Sequence, residues 1–117
     1  MSEPTTAPQY INIDDVAKLD LRVVTITEAV NHLKADRLVI LQVNDGTDKP
    51  RQIVAGIREH CPVETLVGRQ IVIIANLEPR ELWGTLSQGM LLAAKDNENR
   101  LAVLTPHQFV SPGSKVS

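Results

Sequence analysis

Histidine, cysteine and carboxylate side chains are the usual carriers of enzymatic chemistry, and this sequence holds few of them in a productive arrangement. His60 and Cys61 are adjacent, a pairing in which an imidazole could activate a thiolate. Neighbouring side chains of an extended chain point apart, so we interpret this adjacency as chance. His32 and His107 lie far from each other and from any cysteine or paired carboxylate at ligand spacing. We therefore predict that the chain is not an enzyme and holds no metal and no cofactor.

Residues 76–90 carry polar and glycine residues between two apolar segments, and a long connection of this kind often carries function. Lys34 and Arg37 flank a short turn before another apolar segment, which would place both cations at one edge of the fold. The alternative for these two residues is that they are ordinary solvated charges.

Composition and charge narrow the kinds of protein that fit. The chain has 117 residues, 43% of them hydrophobic, which suits one globular domain. Its formal net charge of −2 argues against a large phosphate-binding surface. Cys61 is the only cysteine, so no intrachain disulfide is possible, and the first residues lack the pattern of a signal peptide. No apolar run is long enough to span a membrane. We expect a cytoplasmic protein.

The elements that position these residues are mostly strands. The pattern predicts a flexible tail over residues 1–11 and one domain over residues 12–117, which begins with a short helix capped by Asn12. Apolar, β-branched runs predict five strands at residues 21–27, 38–43, 52–56, 70–75 and 89–95, followed after a turn by a last strand at residues 101–104. A helix of one or two turns is predicted at residues 60–68, between the third and fourth strands. This order is typical of an all-β, five-stranded OB-fold barrel, here with a C-terminal extension over residues 105–117.

Several segments resemble one family. The chain is similar to the tRNA-binding domain found at the C-terminus of many bacterial methionyl-tRNA synthetases and as free-standing, structure-specific tRNA-binding proteins. The most specific match is the segment that begins Ser87-Gln88-Gly89-Met90 and continues to Ala94. The other matching segments are residues 18–23, 35–38, 52–57, 66–69, 75–77, 79–80, 104–106 and 112–116.

The resemblance implies an OB fold, a homodimer joined partly through the C-terminal extension, and non-catalytic binding to the outer corner of folded tRNA. In the family the Ser and Met of the Ser-x-Gly-Met segment are important for RNA binding, and they match Ser87 and Met90 here. A-form RNA offers phosphates, hydroxyls and shape more readily than base edges, which suits such recognition. The candidate tRNA-binding residues are Lys34, Arg37, Asn76, Arg80, Trp83, Ser87 and Met90.

The sequence also departs from the family pattern. Glu78 and Glu81 stand where basic residues are common, and Trp83 replaces a more usual Lys, Arg or Met. About three cationic contacts, with Arg51 as a further candidate, predict a salt slope of roughly −2 to −3. A monomer should therefore bind weakly, and a dimer would raise the effective concentration of the second site.

Each candidate also has a purely structural interpretation. Trp83 either stacks on an exposed base or, as we favour, seals one end of the barrel. Met90 is either strand filler or close to RNA. Asp36 is expected to cap a turn, and Asn76 is expected to do mainly structural work, with RNA contact as its alternative.

Two functions from different classes remain open. The first is structure-specific tRNA binding that supports aminoacylation, either as a free-standing protein, which an initiating Met1 favours, or as the C-terminal or beta component of a methionyl-tRNA synthetase. In the second case the synthetase catalytic chain would be a partner. The alternative is a chaperone-like, protein-binding homodimer of the same fold, motivated by Glu78, Glu81 and the acidic net charge.

Overall fold

The computed structural model describes residues 9–117. Most of the predicted tail, residues 1–8, lies outside the described residues, and residues 9–11 are exposed and without regular secondary structure. Within residues 9–117, no helix has the length and apolarity needed to cross a lipid bilayer.

Within residues 9–117, one short helix, one 3-10 turn and ten strands make up the regular structure. Helix α1 is Ile13–Ala17. The strands are β1 Leu21–Asn31, β2 Val39–Asn44, β3 Arg51–Ala55, β4 Gln70–Ile74, β5 Arg80–Leu82, β6 Thr85–Ser87, β7 Met90–Leu91, β8 Ala93–Lys95, β9 Leu101–Val103 and β10 Ser114–Val116.

Strand β1 is the central strand of the barrel and pairs with β2, β4 and β10. Its first half pairs antiparallel with β4 along one edge, in the register Leu21 with Ile74, and its second half pairs with β2 along the other. The principal sheet has the order β3-β2-β1-β4-β7, while β5 with β6 and β8 with β9 form two separate hairpins. A register shift between Ile26 and Glu28 marks a bulge, which lets the long strand bend around the barrel.

β-Branched and leucine side chains fill the barrel, as their frequency in the sequence predicts. Alternate positions of the strands point inward. The largest fully buried side chains are those of Ile26, Leu41, Ile53, Ile71, Ile73, Val24, Val39 and Val43. The predicted five-stranded OB-type barrel is confirmed.

The helix prediction is correct at α1 and wrong in its second part. Asn12 caps α1 in a capping box, with its side chain accepting from the backbone N–H of Asp15 at 2.9 Å. Between β3 and β4, where residues 60–68 were predicted to form a longer helix, only a single 3-10 turn forms, at Val63–Thr65. The apolar residue Leu66 is buried there without a regular helix, because backbone bonds such as that from Thr65 to Pro62 close a tight turn instead.

The C-terminal extension packs on the chain's own barrel. Strand β10 pairs with the start of β1 in the register Leu21 with Val116, on the edge that β2 continues. Gly46 and Gly113 meet back to back where β2 ends and β10 begins, both with positive φ. A Cβ at Gly113 would lie 2.4 Å from the carbonyl oxygen of Asp45, so only glycine permits this close approach.

Candidate nucleic-acid interface

Ser87 lies at the seam where the barrel closes. Its side chain is only 4% exposed. The hydroxyl accepts a hydrogen bond from the backbone N–H of Val54 at 3.0 Å and donates one to the carbonyl of Gly89 at 2.9 Å. Beside it, the N–H of Gln88 donates to the carbonyl of Gln52 at 2.7 Å. The hydroxyl of Ser87 therefore donates one hydrogen bond and accepts one within the protein.

Arg51 joins neighbouring chain segments on the other side of the same seam. Its guanidinium pairs with the carboxylate of Asp45 at 2.9 Å and donates to the carbonyls of Ala75 and Gln88 at 3.0 and 2.7 Å. Burial tends to raise the pKa of Asp45, but hydrogen bonds from Thr47 and Arg51 outweigh it and hold the pKa below its ordinary value. Arg51 is therefore a structural cation, and the suggestion that it faces RNA is not supported.

Residues 80–87 form a β-hairpin, within the segment 76–90 that we predicted to be a long connection. The register is Arg80 with Ser87 and Leu82 with Thr85, so Trp83 and Gly84 are the two turn residues. Both have positive φ, 52° and 82°, as a two-residue type I′ turn requires. Such turns usually carry Asn-Gly or Gly-Gly. With tryptophan at the first position, the sequence lacks the usual signal for a hairpin.

Trp83 projects from the apex of this hairpin and is 70% exposed. The interpretation that it seals the barrel core is therefore wrong, because the type I′ turn carries its side chain away from the barrel. A large exposed ring in a backbone conformation that side chains disfavour buries little apolar surface in the fold. It remains free to stack on a ligand.

Arg80 and Met90 come together with Ser87 around one small cavity. The cavity has a volume of about 50 Å³, and Val54, Leu77, Leu82 and Gly89 also line it. Met90 is 47% exposed and pairs with Ile74 at the end of β4. Gly89 lies against the carbonyl of Ile74, with φ of 140°, which lets the chain turn tightly between Ser87 and Met90.

Lys34 and Arg37 lie on the turn between β1 and β2, and both are exposed. The buried ring of His32 holds this turn: its Nδ1 accepts from the backbone N–H groups of Lys34 and Ala35 at 3.0 and 3.1 Å. The Nε2 atom of the same ring lies 3.0 Å from the hydroxyl of Thr85 on the hairpin. The structure thus brings the Lys34–Arg37 turn and the hairpin to one rim of the barrel.

Asn76 has the structural role that we expected. Its side-chain oxygen accepts from the N–H of Asp20, and its side-chain nitrogen donates to the carbonyl of Lys18 at 2.7 Å. The amide ties the end of α1 to the end of β4. Its remaining exposed surface borders a groove of about 500 Å³ that Lys49, Pro50 and Pro79 also line.

The charge of this rim is mixed. Within residues 9–117, Lys34 and Arg80 form no ion pair, whereas Arg37 lies 3.7 Å from Glu59 in an exposed pair. Exposed pairs of this kind contribute little and are screened by salt. Glu78 and Glu81 are close to Arg80 in the sequence, and both are exposed. Hereafter the rim surface denotes Lys34, Arg37, Arg80, Trp83 and Met90.

The histidines and the cysteine form no reactive group in the described part of the chain. Burial raises the pKa of the Cys61 thiol, and the charge of Arg69 offsets this only in part. Such a thiol is a poor nucleophile at neutral pH. Among residues 9–117 there is no cluster of three or more His, Cys, Asp or Glu side chains that could hold a metal ion.

Known proteins are similar to this chain in sequence and in fold. Residues 21–115 match the tRNA binding domain family. A methionine–tRNA ligase from Parabacteroides distasonis is 49% identical over 108 residues, which are 92% of this chain and 16% of that enzyme. The chain thus spans about one sixth of the length of that relative.

Two solved structures share the barrel. A methionyl-tRNA synthetase related protein from Pyrococcus horikoshii superposes with a TM-score of 0.87 at 27% identity, covering 94% of this chain and all of that one. The chaperone CsaA from Bacillus anthracis superposes with a TM-score of 0.83 at 28% identity, covering 93% and 100%. The sequence match extends over both the barrel and the rim-bearing hairpin. The chain therefore belongs to the tRNA binding domain family.

Proposed function

We propose that the chain is a non-catalytic module that binds folded tRNA by its shape and supports aminoacylation in the cytoplasm. The observation that carries this proposal is the family match over residues 21–115, which includes every residue of the rim surface. A site with few cations attracts RNA phosphates only close to the site. This is consistent with a chain whose net charge is −2.

The rim surface supplies the contacts in this proposal. Lys34, Arg37 and Arg80 face backbone phosphates, and Trp83 stacks on an unpaired base at the corner of the RNA. Met90 offers an apolar surface next to a ribose. Ser87 and Asn76 contribute by holding the backbone beneath these residues, because their polar atoms are engaged within the protein.

Support of aminoacylation follows from the relatives. The matched methionine–tRNA ligase carries a segment similar to this chain within a protein about six times as long. A segment that adds affinity for tRNA, but no reacting group, would lower the Michaelis constant for tRNA more than it raises turnover. The chain would do this either as a free-standing protein or as a C-terminal or beta component beside a catalytic chain.

The proposed functional state is a homodimer. None of the residues of α1 is buried, and Ile13 is 77% exposed, with Val16 and Leu19 also open to solvent. A helix of five residues is not stable without packing. A second copy of the chain would cover this apolar face and would present two rim surfaces to one RNA, which compensates for weak single sites.

The direct test is a comparison of RNAs in an electrophoretic shift assay at matched salt. We expect folded tRNA to bind more tightly than an unstructured RNA of equal length, with a slope of log affinity against log salt of roughly −2 to −3 per site. Equal binding of the two RNAs would contradict shape recognition.

A pair of double variants locates the site. Lys34→Gln with Arg80→Gln removes the two rim cations that form no ion pair within residues 9–117, so the salt slope should lose about two units. Lys95→Gln with Arg100→Gln makes the same charge change on the β8–β9 hairpin and serves as the control. If both double variants lose affinity equally, binding is not localised at the rim.

A chaperone-like function is the second candidate, and the structural similarity to a chaperone favours it. Exposed apolar side chains at Trp83, Leu86 and Met90 could contact unfolded polypeptide. The test is suppression of aggregation of a reduced model client in the presence and absence of excess tRNA. Protection that tRNA does not displace would support this candidate, and no protection would dismiss it.

A further inference from the structure

The His32 side chain connects two separate parts of the rim surface. It is only 6% exposed, at the end of β1. On one side it holds the turn that carries Lys34 and Arg37, and on the other it reaches the hydroxyl of Thr85 at 3.0 Å. These contacts link segments 53 residues apart in sequence.

The two backbone contacts determine which nitrogen of the His32 ring carries the proton. Nδ1 accepts from the N–H groups of Lys34 and Ala35, so it carries no proton. In a neutral imidazole the remaining proton is then on Nε2. His32 therefore donates from Nε2 to the hydroxyl oxygen of Thr85 and accepts twice at Nδ1.

The hairpin needs an external anchor of this kind. It has three residue pairs, Arg80 with Ser87 to Leu82 with Thr85, and a two-stranded hairpin is marginal alone. It is secured to β3 through Ser87 and Gln88, and through the Gln52 side chain, which donates to the carbonyl of Leu86 at 2.6 Å. Toward the apex, where Trp83 has positive φ, the bond between His32 and Thr85 is the contact that joins the hairpin to the Lys34–Arg37 turn.

We propose that His32 is a positioning residue that holds the Lys34–Arg37 turn and the Trp83 hairpin in one fixed arrangement for RNA. This inference rests on the proposed function, because it assigns the arrangement a role in binding. Its structural part, that the His32–Thr85 bond restrains the hairpin apex, is independent of RNA.

The key variant is Thr85→Val, which removes the acceptor and keeps the shape of the side chain. Trp83 is the only tryptophan, so its fluorescence anisotropy reports the mobility of the apex without any label. We expect lower anisotropy than in the wild type and a Kd for tRNA about three- to tenfold higher, the range for loss of one hydrogen bond. Thr27→Val makes the same change at an exposed position of β1 and is the control.

Two substitutions of His32 separate its two functions. Asn in His32→Asn retains an acceptor near the position of Nδ1 for the turn, but it is too short to reach Thr85. Gln in His32→Gln retains a donor toward Thr85, but it leaves the N–H groups of Lys34 and Ala35 without their acceptor. We expect His32→Asn to behave like Thr85→Val, and His32→Gln to retain the anisotropy of Trp83 while it loses tRNA affinity.

The outcomes are distinct. Lower Trp83 anisotropy together with weaker tRNA binding in Thr85→Val, with neither effect in Thr27→Val, supports the proposal. Unchanged anisotropy overturns it, and so does lower anisotropy with unchanged tRNA affinity. Failure of the wild type to bind tRNA contradicts the proposed function instead, and the anisotropy comparison then still decides whether His32 restrains the hairpin.

Discussion

The hydroxyl of Ser87 lies 3.0 Å from the backbone nitrogen of Val54 and occupies the place that a strand carbonyl would take. At this point the barrel is closed by a side chain rather than by a continuous ladder. The same hydroxyl donates to Gly89, so it also sets the turn that leads to Met90.

Ser87→Ala should destabilise the fold. The N–H of Val54, which is buried, would lose its acceptor, and an unsatisfied buried donor costs about 1–3 kcal/mol. We expect a lower free energy of unfolding in urea and weaker binding of tRNA, because Met90 loses its fixed position. Ser114→Ala removes the hydroxyl of a half-buried residue that, in the described part of the chain, bonds to the carbonyl of Ser111, and it should change stability by less than about 0.5 kcal/mol.

Trp83→Gly should separate binding from stability. Glycine adopts positive φ without strain, so the free energy of unfolding should stay the same or rise. If the ring stacks on a base, the free energy of tRNA binding should become less favourable by about 1–3 kcal/mol. Trp83→Phe should retain part of the affinity. Calorimetric titration checks both variants, and unchanged affinity in Trp83→Gly would place RNA away from the hairpin apex.

Glu81→Lys should strengthen RNA binding. The substitution replaces a negative charge on the hairpin, at the residue after Arg80, with a positive one, and each added phosphate contact steepens the salt slope by about 0.9. Affinity for tRNA should therefore rise at low salt and converge with the wild type at high salt. Glu64→Lys, on the 3-10 turn outside the rim surface, reports the effect of net charge alone. Equal gains in the two variants would indicate non-specific attraction.

The Asp45–Arg51 pair should make stability fall in acid. Hydrogen bonds from Thr47 and Arg51 hold the pKa of Asp45 below its ordinary value, although burial opposes them. Its stabilising contribution is therefore complete above the unfolded-state pKa of about 3.9 and is lost as the pH falls through the lower folded-state pKa. Hydrogen bonds to charged groups contribute about 1.5–3 kcal/mol, so Asp45→Asn should be less stable than the wild type at neutral pH by an amount in that range.

Urea unfolding between about pH 2 and 7 checks this prediction, because the difference between wild type and Asp45→Asn should narrow in the acid range where Asp45 becomes protonated. Asp48→Asn, at an exposed neighbouring carboxylate with no ion pair within residues 9–117, is the matched control. A constant difference across the range would show that the charge of Asp45 does not contribute.

Ile13→Glu with Val16→Glu should produce a monomer if α1 forms the dimer interface. Burying two carboxylates in an apolar contact is strongly unfavourable. Sedimentation equilibrium measures the molar mass, and the wild type should exceed the 12.9 kDa of one chain. Leu33→Glu, at a residue 99% exposed on the turn after β1, is the control. A wild type of monomer mass would remove the dimer from the proposed function.

The barrel itself could be predicted because its strands carry strong local patterns. Alternating β-branched residues located β1 to β4 to within a few residues, and Asn12 marked the start of α1. The strand predicted at residues 89–95 is divided into β7 and β8, since the chain turns at Leu92 from pairing with β4 to pairing with β9. Pairing partners of this kind depend on distant segments and leave little trace in local sequence.

The candidate site was harder to predict, for three physical reasons. The hairpin at residues 80–87 is short, and Trp83 occupies a turn position that usually requires Gly or Asn. The burial of Ser87 depends on the approach of β3, which no local pattern records. The role of His32 arises from a contact with Thr85 on a distant element, so the sequence showed only an isolated histidine.

Leu21 and Val116 are cross-strand neighbours, so the polypeptide enters and leaves the barrel at the same place. The turn carrying Lys34 follows the other end of β1, up to about 30 Å away along an eleven-residue strand. A linker or fusion partner joined near Leu21 or Val116 would therefore start far from the Lys34–Arg37 turn. The barrel could therefore be fused to an unrelated polypeptide without a change in its own geometry.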